Sequence, residues 1–146
     1  MRILFILLAA APLFAQGDPA IEKAVLAAND QVTRAAEARD LDRFFSFLID
    51  TDKGSIIQNG VLSVTTGDAR ARVEPGFRQP LKVAYRWKRQ YVTVLSPAAA
   101  VLVSEGESEV TSANGTFKAP FAQTAVWVLR DGSWKILHAH QSSPPR

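Results

Sequence analysis

The sequence predicts an α+β fold in which N-terminal helices pack on one face of a curved, mainly antiparallel sheet. Three observations carry this. Apolar residues recur at helical spacing from Ala20 to Arg39 and again after Asp40. From Leu81 onward only long strand-like runs remain. Those runs are punctuated at Ser96-Pro97, Asn114-Gly115 and Asp131-Gly132, so consecutive strands return on one another as a meander. A chain of 146 residues holds one such domain.

The elements follow in order. Arg2, the apolar run Ile3 to Ala11, and Leu13-Phe14-Ala15 before polar Gln16-Gly17-Asp18 have the layout of a secretory signal, residues 1–15, cleaved after Ala15. The run is too short to span a bilayer. The expected product is therefore secreted or periplasmic, with no membrane attachment after cleavage. Residues 16–19 are a linker, 20–143 the domain and 144–146 a tail. Asp18 is placed to cap the first helix and Pro19 to start it, with Ile21, Val25, Ala28, Val32 and Ala35 on one stripe. Asp40 caps a second helix carrying Leu41, Phe44, Phe45 and Leu48. Asn59-Gly60 joins the short runs Ser55–Gln58 and Val61–Val64 into a hairpin. Asp68 to Glu74 reads as a third helix stopped by Pro75-Gly76.

Composition removes several function classes. The net charge of +3 is too small, and too evenly spread, for a nucleic-acid surface. With no cysteine there is no disulfide, thiolate nucleophile or thiolate metal site. No phosphate loop, nucleotide fingerprint or nucleophile elbow is present, and no cofactor is expected. Metal is not expected either, since two histidines alone leave a site short of ligands.

Two-residue turns set register, so the faces of the sheet can be counted. Through Asp131-Gly132, Leu129 opposes Trp134, Trp127 opposes Ile136, Ala125 opposes His138 and Gln123 opposes His140. Through Asn114-Gly115, Leu102, Ser104, Gly106 and Ser108 join that face. Pairing Lys88 with Glu107 and Arg86 with Glu109 needs a four-residue turn, Ser96 to Ala99, and adds Tyr85, Trp87, Arg89 and Tyr91. The aromatic face with a few polar groups is how a small-molecule pocket is built. Its candidate lining is Tyr85, Trp87, Arg89, Tyr91, Gln123, Trp127, His138 and His140, with Trp127, Trp134 and Ile136 also serving as core under the first helix. The opposite face, with Val92, Val101, Val103, Val126 and Val128, suggests a homodimer interface.

The segment from Gln123 to Ser143 has a Trp before the turn, Arg-Asp-Gly at the turn, a second Trp, and His138-Ala-His140-Gln-Ser. It resembles the closing hairpin of SnoaL-like proteins, members of the nuclear transport factor 2-like superfamily. It is also similar to the association domain of calcium/calmodulin-dependent protein kinase II. The resemblance implies a cone-shaped fold, a pocket at its wide end and dimers through the sheet. Where the kinase association domain carries a pocket arginine this chain has Ala125, so anion binding through that position does not carry over.

The ketosteroid isomerases and polyketide cyclases of the superfamily use a pocket carboxylate as base. Here Asp50 is the candidate carboxylate, and His138 or His140 the candidate imidazole base. The leading expectation is a domain that binds a small, apolar or aromatic molecule. An enzyme using His or Asp acid–base chemistry and a dimeric assembly module are the alternatives.

Overall fold

A computed structural model describes residues 17–144. The segment expected to be a secretory signal, residue 16 and the last two residues of the tail lie outside them. Helix α1 spans Pro19–Glu37, with the Asp18 carboxylate accepting from the Ala20 and Ile21 amides as its cap. Its apolar stripe (Val25, Ala28, Val32, Ala35) is buried as the spacing requires. The helix ends two residues before Arg39, which itself takes the left-handed conformation, φ 59. Helix α2 (Leu41–Ser46) is capped by Asp40 and buries Phe45.

Strands β1 (Ile56–Gln58) and β2 (Val61–Ser63) form the hairpin at Asn59-Gly60, both residues at positive φ (49 and 80) as a tight hairpin turn requires. Helix α3 runs Thr66–Phe77, longer than expected. Thr65 and Asp68 form a reciprocal capping box at its start. Pro75 does not stop it, because the ring costs the helix one hydrogen bond while its fixed φ is helical. The last turn is held instead by Arg39, which donates to the Gly76 carbonyl, and by Phe77 against Phe44, 5.7 Å between ring centres.

Strands β3 (Lys82–Ser96), β4 (Ala99–Ser112), β5 (Gly115–Arg130) and β6 (Ser133–Ser142) make the meander. The six-stranded sheet has the order β2-β1-β6-β5-β4-β3. It is mixed, since β1 runs parallel to β6 and every other pair is antiparallel. The core lies between α1 and the concave face, where Leu102, Ala125, Ala139 and Ile56 meet Val25, Ala28 and Val32.

Three register shifts, one on β6 and two on β3, overturn part of the expected register. On β6, Leu137 is an extra residue: Trp127 still opposes Ile136, but Val126 opposes His138 and Thr124 opposes His140. Both histidines therefore leave the outer, convex face, and small Ala139 faces the core in their place. On β3 an extra residue at Lys88 separates Trp87↔Gly106 from Arg89↔Glu105. A second extra residue, Leu95, between Val94↔Ala100 and Ser96↔Ala99 turns Arg89 and Tyr91 outward and Val92 inward opposite Leu102, and the shift at Lys88 returns Trp87 and Tyr85 to the concave face. The expected pairs Lys88–Glu107 and Arg86–Glu109 give way to Arg86 opposite Glu107, an Arg89–Glu105 ion pair at 2.5 Å and Lys118 on Glu109 at 2.9 Å. The four-residue turn is present, Ser96 pairing with Ala99.

Candidate functional site

One row of polar side chains crosses the concave face. Gln58 on β1 pairs in register with Gln141 on β6, Gln141 with Gln123 on β5, Gln123 with Ser104 on β4, and Ser104 with Gln90 on β3. Register partners share a face, so all five side chains rise on the same side. Asn29 descends onto the row from α1. The Gln141 side-chain amide donates to Gln123 Oε1 (3.3 Å), and Gln123 Nε2 donates to Asn29 Oδ1 (3.1 Å). The chain of bonds stops there. Asn29 is 1% exposed, and its Nδ2 is buried without a partner, as are Gln90 Nε2 and Ser104 Oγ. A buried, unpaired donor costs about 1–3 kcal/mol; Trp127 Nε1, in the adjoining core, is also unpaired.

The row divides the sheet. On the side of the Asp131-Gly132 turn lies the dry core, including Trp127 at 0% exposure. On the other side the α1–sheet gap opens into a cavity of about 1030 Å³. Helix α1 lines it with Asn29, Val32, Thr33 and Ala36, a single face by helical spacing, and Arg39 follows just beyond the helix end. The sheet contributes Tyr85, Trp87 and Phe121, whose rings lie 5.4 to 6.3 Å apart. Trp87 is fixed by its indole N–H, which donates to Thr33 Oγ1 at 3.2 Å. Helix α3 supplies Arg72, Val73, Gly76 and Phe77. Burial, and then the nearby Glu37 charge, push the Tyr85 phenol above its ordinary range. It therefore stays a neutral hydroxyl, able to donate a hydrogen bond.

Of the residues singled out in the sequence, Tyr85, Trp87 and Gln123 line this cavity. Trp127 belongs to the core, as its packing role required. The others are elsewhere. His138 is half-buried on the outer face, with Nδ1 3.2 Å from the Gly54 carbonyl, where it tethers the loop before β1. His140, Arg89 and Tyr91 border a shallow outer depression. Asp50 is exposed after α2 and does not line the cavity. The register put imidazoles where the bulge puts Ala139 and Gln141.

Asn29, Arg39, Arg72, Gln141 and Phe121 were missed. Asn29 had a signal: it sits four residues after Val25 and three before Val32, a polar residue within the apolar stripe. Among the described residues lining the cavity there is no Asp, Glu, His or Lys. Nor do the described residues hold any cluster of three or more His, Cys, Asp or Glu suited to a metal.

A helix-covered, open α+β sheet with a cavity at one end defines a cone-shaped domain of the nuclear transport factor 2-like type. Residues 25–146 match the model of the SnoaL-like domain, and the chain belongs to that family. Solved structures agree on the fold. A Streptomyces avermitilis protein of the NTF2-like family, provisionally named a dehydratase, superposes with a TM-score of 0.76 at 16% identity, covering 88% of this chain and 100% of that one. A nuclear transport factor 2 superfamily protein from Salmonella enterica gives 0.75 at 13% identity, covering 88% and 94%. The association domain of the C. elegans calcium/calmodulin-dependent kinase II gives 0.70 at 18% identity, covering 85% and 96%. No curated protein matches the sequence.

Proposed function

We propose that this domain binds a small molecule with an apolar or aromatic body in the cavity between α1 and the sheet. The observation that carries the reading is the cavity's chemistry. Aromatic walls surround a buried amide floor whose last donor, Asn29 Nδ2, is unpaired. Proton-transfer catalysis has less support, since His138, His140 and Asp50 all lie off the lining and no other carboxylate or imidazole replaces them. We also propose that the chain is exported on its N-terminal segment and pairs through the outer face of the sheet. Val103 is exposed at 47% there, beside Val101, Val126 and Val128.

The cavity reading is tested with 1-pyrenebutanol, a neutral aromatic probe, followed by its own fluorescence. Wild-type protein should bind it. Ala119→Trp, which fills the cavity between Phe117 and Phe121, should abolish binding, and His138→Gln should leave it intact. Binding that survives Ala119→Trp would place the probe elsewhere and remove the assignment.

A further inference from the structure

The arginines around α3 fall into two kinds. Arg70 pairs with Asp42, and Arg78 with Glu74 at 2.6 Å; neither lines the cavity. Arg39 and Arg72 do line it, and neither has an ion-pair partner among the described residues. Arg39 donates to the Gly76 carbonyl and lies over the Phe77 ring, 5.8 Å from its centre. Arg72 Nε donates to Ser63 Oγ at 3.1 Å. Arg72 stands one helical turn before Gly76, so the two guanidinium groups approach the cavity from neighbouring positions on the same wall. Asp68, one turn before Arg72, holds its carboxylate on the Thr65 amide in the capping box.

The cavity therefore has a polarity. At one end lies the neutral amide row of Asn29, Gln123 and Gln141. At the other stand two cations with no carboxylate on the lining to balance them. Asn29 lies within α1 and Arg39 just beyond its C-terminal end, so the two mark opposite ends of the cavity wall. An anion between the guanidinium groups would gain charge-assisted hydrogen bonds, while the nearest acids, Asp68 and Glu37, are held on the Thr65 and Tyr85 amides. A cationic ligand would meet only repulsion.

We propose that the cavity selects a carboxylic acid with an apolar body, its carboxylate held by Arg39 and Arg72 and its body lying along the aromatic walls toward the amide row. This rests on the reading of the cavity as a ligand site and adds the charge and orientation of the ligand.

The test pairs 1-pyrenebutyric acid with 1-pyrenebutanol, the same body with and without the charge, titrated at low salt and neutral pH. The acid should bind at least about tenfold tighter, the lower end of what one charge-assisted hydrogen bond supplies. Added NaCl should narrow the difference. In Arg39→Gly/Arg72→Gln the preference, taken as the ratio of the two probes' affinities for the same variant, should vanish. Glycine suits the left-handed backbone at residue 39, which relieves backbone strain while the contacts with Gly76 and Phe77 are lost. The single variant Arg72→Gln, which loses one part-buried hydrogen bond to Ser63 and keeps Arg39, should reduce the preference and guards against misfolding of the double variant. Equal affinity for both probes in the wild type would overturn the acid assignment and leave the cavity reading standing. Failure of both probes to bind would overturn the two together. A preference that persists in the double variant would remove the two arginines as its source.

Discussion

Gly106 shows how one residue can set the geometry of a face. It lies in the interior of β4, opposite Trp87, where the β3 bulge brings the neighbouring backbone unusually close. A Cβ at this position would run into the Arg86 carbonyl oxygen and lie 3.0 Å from Trp87 Cα. These are backbone atoms and cannot swing aside as a side chain would. Gly106→Ala should therefore destabilise the domain by about 1–3 kcal/mol, read as a lower urea midpoint with an unchanged m-value. It should also disturb Trp87 emission, because the ring sits on the displaced strand. A midpoint equal to that of the wild type would mean the bulge relaxes freely. Arg39 presents the converse case: a non-glycine residue at φ 59 carries a backbone cost that its contacts with Gly76 and Phe77 offset.

At the scale of elements, what was legible in the sequence was local. The caps at Asp18 and Asp40 and the Asn59-Gly60 and Asp131-Gly132 turns each depend on a few adjacent residues, and each was found in place. Half of the candidate lining followed from strand alternation and failed where alternation breaks. The break on β3 had a trace, an interior glycine on the partner strand. The break at Leu137 had none, since Ile136-Leu137-His138 contains no Gly or Pro. Its cause is tertiary: beneath α1 there is room for Ala139, 4% exposed, and not for an imidazole. Ala139→His would put an imidazole into that space and should cost about 3 kcal/mol or more, read as a lower urea midpoint. A variant as stable as the parent would show that the space beneath α1 does not decide which side chain faces it.

For the whole molecule, the outer face is where association should be visible. It carries Tyr91, 62% exposed, with Val103 and the half-buried Val101, Val126 and Val128. Exported protein should start at Gln16 by intact mass and sediment as a dimer. Val103→Asp/Val126→Asp should sediment as a monomer, because each protomer would bury two unpaired carboxylates in the contact. Retention of Met1 on a soluble product would remove the export proposal. Unchanged sedimentation of the double variant would remove this face from the interface.

The amide row also has a bearing on how this domain can change. Between the row and the Asp131-Gly132 turn, Trp127, Leu102 and Ala125 are packed to near-zero exposure, and almost any substitution there changes volume in a filled space. Beyond the row, Val83, Val110, Phe117 and Ala119 border open space, where a larger or smaller side chain alters the shape of the cavity and disturbs little else. Mutational tolerance should therefore switch abruptly along each long strand, at Gln90, Ser104, Gln123 and Gln141, and not fade gradually toward the strand ends. One half of the sheet can be rewritten for new ligands while the other half goes on holding the fold.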